Sequence, residues 1–119
     1  MVVDDHPDSA DMLVELLALR GIEARAAYDG AAALDLVARV APGLVLVDLS
    51  LPGIDGYEVA RRIRGTEPAV EMQLIAVTGW ADPESRERAL GAGFDELVVK
   101  PVDLEAILRI ADGPSDSAE

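Results

Sequence analysis

The chain has 119 residues, half of them apolar, which is enough to bury one compact core and too few for two domains. Ten Lys and Arg stand against 23 Asp and Glu, a formal net charge of -13 that repels nucleic-acid phosphates and anionic lipid and so argues against direct DNA or membrane binding by this domain. Cysteine is absent, which removes disulfide frameworks and thiolate chemistry.

Five short apolar runs, at 2–3, 22–27, 44–47, 74–77 and 97–99, alternate with amphipathic stretches. The first, Val2 and Val3, leaves only a short strand before Asp4. That suits either a trimmed start or a domain cut from a longer chain. A helix is expected over 8–20, stopped by Gly21. On its 3.6-residue period Met12, Leu13, Leu16 and Leu17 form the arc expected to face a sheet, and Ala10, Val14 and Ala18 lie beside that arc. The run 22–27 mixes Glu23 and Arg25 with apolar residues, as an edge strand does. Asp29 is expected to cap a helix reaching about Val40. The runs at 44–47, 74–77 and 97–99 are continuous, the pattern of strands buried on both faces of a parallel sheet. Asp55 reads as a cap with Glu58 in the capping-box position and Ile54 and Val59 as its staple. Asp82 before Pro83 is a second cap, and Asp103, with Val102 and Ile107, is a third. From Gly113 onward the chain turns polar, so a domain over 1–112 and a disordered tail over 113–119 are expected.

A strand-helix unit repeated five times implies a doubly wound α/β fold with a five-stranded parallel sheet. Right-handed crossovers and the edge-like second strand favour the order 2-1-3-4-5. Aromatic residues make up 3% of the chain, so the core must be aliphatic. The longest apolar runs fall far short of the roughly 20 residues that cross a bilayer, and Met1 to Asp5 lack the features of a signal peptide. A cytoplasmic location is expected.

In such sheets ligands sit beyond the carboxyl ends of the strands, where the strand order reverses. Asp4 and Asp5 follow the first run, Asp48 the third, Thr78 the fourth and Lys100 the fifth. Three carboxylates converging on one rim need a cation, and hard oxygen ligands suit Mg²⁺. A carboxylate held there can attack phosphorus to give an acyl phosphate, with Lys100 and Thr78 meeting charge on the phosphoryl oxygens. His6 reads as an exposed loop residue rather than a ligand, and Trp80 as a partly exposed lid. Glu67, Glu71 and Glu87 read as a solvated face.

The residues Asp4-Asp5, the stretch from Val47 to Gly56, Thr78-Gly79, the stretch from Ala92 to Asp95, and Val99-Lys100-Pro101 together resemble the receiver domains of bacterial response regulators and hybrid histidine kinases. Each motif is weak alone, and their order and spacing make the signal. The resemblance covers nearly the whole chain and implies a flavodoxin-like (βα)5 fold, as in chemotaxis regulators. It implies Asp48 as phosphoacceptor. Mg²⁺ would be bound directly by Asp5, Asp48 and the Ser50 main-chain carbonyl, with Asp4 acting through water. It further implies Thr78 as the switch hydroxyl, Lys100 as partner of the acceptor, and a cis Lys100-Pro101 peptide. The phosphodonor would be a histidine kinase or a histidine phosphotransfer protein, and a phosphorylation-dependent dimer is compatible with it. Such a domain catalyses only its own phosphorylation and dephosphorylation, and belongs to a histidine kinase where it is part of a hybrid chain. The run through 78–95 leans toward the hybrid type. One departure stands out: many members carry Tyr or Phe three residues before the lysine, and here that residue is Leu97.

Three rivals are weaker. A haloacid-dehalogenase-like phosphatase needs a second Asp where Ser50 stands. A flavodoxin-like nucleotide binder needs a glycine-rich phosphate loop after the first strand. A pseudo-receiver would have lost some of the chemical residues, and none is missing.

Overall fold

The aliphatic runs form the centre of a sheet. In the computed structural model, residues 1–40, 42–65, 72–80 and 82–117 are described, with side chains to residue 110. The elements are β1 (Val2–Val3), α1 (Pro7–Leu19), β2 (Ala26–Ala27), α2 (Gly30–Val40), β3 (Leu44–Asp48), α3 (Gly56–Arg64), β4 (Gln73–Thr78), α4 (Pro83–Ala92), β5 (Glu96–Val99) and α5 (Leu104–Ser117). The strands are parallel, in the order β2-β1-β3-β4-β5, as expected. Glu67 and Glu71, expected on a solvated face, lie outside the described residues. Glu87 is exposed. The α5 backbone runs on to Ser117, through part of the segment expected as a tail, so the domain limit at residue 112 stands as a proposal.

Strand alternation divides the core between the two faces of the sheet. Val3, Val45, Val47, Leu74 and Ala76 pack with Ala33 and Val37 of α2, Val59 and Ile63 of α3 and Ala89 of α4. Val2, Leu46, Ile75 and Val77 pack on the other side with Ala10 and Leu17 of α1 and Ile107 of α5. Each fully buried Val, Leu or Ile contributes roughly 1.5–3 kcal/mol.

Three expectations are corrected in detail. The second strand is two residues long rather than six, because β1 offers only Val2 and Val3 as partners for Ala26 and Ala27. The Asp55 carboxylate accepts from the Glu58 N–H at 2.9 Å, but the Glu58 carboxylate does not complete a capping box and pairs instead with Arg61 and Arg62. In α1, Leu17 is buried and Leu13 partly so, whereas Met12 and Leu16 are exposed and Ala10 is fully buried. The small side chain of Ala10 lets the helix backbone approach the strands. The buried stripe is therefore rotated toward Ala10, Leu13, Val14 and Leu17. The remaining caps are as expected, with Asp29, Asp82 and Asp103 accepting from the N–H groups of Ala32, Ser85 and Glu105.

Candidate functional site

Strand pairing alone brings the polar strand ends together. Asp48 stands beside Val77 and Thr78 beside Val99 in the register of the sheet. Main-chain bonds carry the alignment past the strands: the Asp4 N–H donates to Ala27 O at 3.0 Å, Leu49 to Val77 O at 2.9 Å and Lys100 to Thr78 O at 2.7 Å. Asp4, Asp5, Asp48, Thr78 and Lys100 therefore meet at the carboxyl rim, between β1 and β3 where the order reverses. The Lys100-Pro101 peptide is cis.

Asp48 is the most enclosed of the polar groups, 2% exposed. Its two oxygens have different partners. Lys100 Nζ donates to Oδ2 at 2.9 Å, and the Ser50 N–H donates to Oδ1 at 2.8 Å. The hydrogen bond to Asp48, aided by the charges of Asp48, Asp4 and Asp5 and opposed by partial burial, raises the Lys100 ammonium above its ordinary value. Gly56 makes the fit possible: a Cβ there would lie 2.6 Å from Asp48 O, so only glycine lets α3 start this close to the end of β3.

One ligand atom from each of Asp4, Asp5, His6 and Asp48 can be chosen so that all lie within 4.8 Å of one another. Three carboxylates at that separation, only one of them paired with the Lys100 ammonium, form a donor set that fits a hard divalent cation. His6 reads from the sequence as an exposed loop residue rather than a ligand. It is indeed exposed, yet its Nδ1 lies 3.2 Å from Asp4 Oδ1 and 3.4 Å from Asp5 Oδ1. Its proximity to the two carboxylates in sequence was the available signal.

Thr78 is buried at the rim. Its hydroxyl donates to Trp80 O at 2.9 Å and accepts the Trp80 N–H at 3.2 Å, so it is engaged with its own loop. Trp80 is 73% exposed, more open than a lid would be. Leu97 is buried in the core that also contains Ala89 and Phe94. Beside the carboxylates opens a cavity of about 290 Å³ whose walls include Met12, Leu13, Leu16, Pro101 and Val102, with Asp4, Asp48 and Lys100 on its polar side. Among the described residues, no helix is long and apolar enough to cross a membrane.

A family profile described as response regulator receiver domain matches residues 1–112. The chain belongs to this family. The receiver is 36% identical over 110 residues to an uncharacterized 14.6 kDa protein of Leptolyngbya boryana, covering 92% of this chain and 84% of that one. It is 36% identical over 107 residues to the sensor histidine kinase RcsC of Salmonella typhi, covering 90% of this chain but only 11% of the kinase. In structure it is similar to the signal receiver domain of NarL from Mycobacterium tuberculosis, with a TM-score of 0.82, 31% identity and 94% of each chain covered.

Proposed function

We propose that this receiver takes a phosphoryl group from a phosphohistidine onto Asp48, in a magnesium-dependent reaction in the cytoplasm, and changes conformation to regulate a partner. The observation that carries the reading is Asp48 itself, a carboxylate 2% exposed that sits between Lys100 Nζ and the acidic pair Asp4 and Asp5.

In the transfer an Asp48 oxygen attacks phosphorus, the P–N bond of the donor breaks, and its electron pair returns to the imidazole nitrogen. Lys100 and the Ser50 N–H hold the carboxylate in place and meet the phosphoryl oxygens as they arrive. Mg²⁺, held by Asp5, Asp48 and the Ser50 main-chain carbonyl with Asp4 acting through water, would neutralise the crowded negative charge. Thr78 would leave Trp80 O for a phosphoryl oxygen and carry its loop with it. With Leu97 in place of an aromatic ring, output would run through that loop and α4 rather than through a swinging ring. The donor would be a histidine kinase or histidine phosphotransfer protein. The match to a fraction of RcsC supports a module of a hybrid kinase as readily as a stand-alone regulator.

Beryllofluoride, which mimics a phosphoryl group, tests the reading directly. It should bind only with Mg²⁺ and change the emission of Trp80, the single tryptophan. Equal binding without Mg²⁺, or no binding at all, would overturn it in favour of a receiver-like interaction module.

A further inference from the structure

Of the arginines on α3 and α4, Arg61 and Arg62 face the Glu58 carboxylate, Arg64 faces Asp95 and Arg86 faces Glu96. Arg88 pairs with no carboxylate among the described residues. Its guanidinium carbon lies 4.0 Å from the centre of the Tyr57 ring, within the range at which a cation is attracted to an aromatic face. Tyr57 is buried in the core beside β3 and β4. It stands in the first turn of α3, next to Gly56, whose backbone is packed against the Asp48 carbonyl. The contact therefore joins α4 to the end of β3 that carries Asp48.

The two helices are anchored unequally. Tyr57, Val59, Ala60 and Ile63 of α3 are buried, whereas α4 buries only Ala89 and Ala92. At its start α4 adjoins the Thr78 loop: Asp82 caps it, accepting the Ser85 N–H at 2.7 Å, and Thr78 and Trp80 bond to each other just before it. A pull on Thr78 thus reaches α4 before it reaches α3. In the core beside α4, Leu97 offers no ring to turn.

We propose that the Arg88–Tyr57 contact is a latch that holds α4 in the unphosphorylated arrangement and opens when Thr78 turns to the phosphoryl group. The inference rests on the phosphoacceptor reading and adds to it the restraint on the switch. While α3 stays with β3, α4 follows its loop, and the guanidinium leaves the ring. A contact made in one state only biases the equilibrium by its own free energy. Losing it from the resting state raises the affinity for a phosphoryl mimic roughly two- to fivefold, as expected of an exposed cation–aromatic pair.

Beryllofluoride affinity in the presence of Mg²⁺, read by fluorine NMR, tests the latch. Arg88→Ala and Tyr57→Leu should each bind roughly two- to fivefold more tightly than the parent, and the double variant no more tightly than either single one. Tyr57→Phe, which keeps the ring, should match the parent. Should Tyr57→Leu fold poorly, Arg88→Ala decides, because Arg88 is exposed. A purely structural contact would lower stability in denaturation curves and leave the affinity of Arg88→Ala unchanged. Unchanged or weaker binding by Arg88→Ala, where the parent binds, overturns the latch alone. A parent that binds no beryllofluoride overturns the phosphoacceptor reading, and the latch with it.

Discussion

A buried carboxylate is tolerated only where something positive or hydrogen-bonding faces it, and for Asp48 those groups are Lys100 and the Ser50 N–H. Removing the ammonium leaves Asp48 beside Asp4 and Asp5 with no cation. Lys100→Met should therefore lower the unfolding free energy by about 1–3 kcal/mol, less than for a fully buried pair because Lys100 is itself partly solvated. Because the folded-state value of Lys100 is raised, its contribution is complete below the ordinary 10.5 and fades as pH climbs through the higher folded value. Denaturation curves at neutral and strongly alkaline pH should show the deficit of Lys100→Met shrinking only at the alkaline end. A constant deficit would mean that the lost packing of the lysine stem, not its charge, matters. The residues at this rim were legible in the sequence because each directly follows an apolar run. The Thr78 hydroxyl bonding to Trp80, and the approach of His6 to Asp4 and Asp5, depend on loop geometry that no periodicity encodes.

The elements show the same division between what periodicity reveals and what it hides. Strand order followed from right-handed crossovers and the polar second run, but the face of α1 did not follow from its period. Met12 and Leu16 are about as apolar as Leu13 and Leu17, so periodicity alone does not say that the stripe through the small, fully buried Ala10 meets the sheet. The exposed stripe is Met12, Leu16 and Leu19, whereas Val14, beside the expected arc, is partly buried. Met12 and Leu16 also line the cavity that reaches Asp48 and Lys100, so a phosphodonor helix bringing its histidine to Asp48 would lie across them. Leu16→Glu should leave labelling of Asp48 by acetyl phosphate intact and slow transfer from the histidine protein at least tenfold. Equal transfer rates would remove α1 from the docking surface. At the opposite end of the sheet, Arg64 of α3 donates to Gly93 O at 2.9 Å, Met72 O at 2.8 Å and Asp95 Oδ2 at 2.8 Å, and that same oxygen accepts the Leu74 N–H. One side chain thus ties α3 to the start of β4 and the turn before β5. Sequence gave no hint of it, since the partners lie up to 31 residues away. Arg64→Ala should cost about 2–4 kcal/mol in chemical denaturation, because two carbonyls and a carboxylate lose their donor. A loss under 1 kcal/mol would show that water replaces the guanidinium.

On the scale of the whole molecule, the sheet is a platform that presents the Asp48 carboxylate at the rim of a strongly acidic chain. The charge of -13 makes the crowding at Asp4, Asp5 and Asp48 harder to sustain, which is why a divalent cation and Lys100 are central to the mechanism proposed. It also favours partners with a basic or apolar contact face. The central claim, that Asp48 accepts the phosphoryl group, is tested most directly by incubation with acetyl phosphate and Mg²⁺ followed by intact-mass and peptide mass spectrometry. The parent chain should gain a single phosphoryl group, located on Asp48, and Asp48→Asn should gain none. Labelling of Asp48→Asn to the same extent as the parent would contradict the assignment.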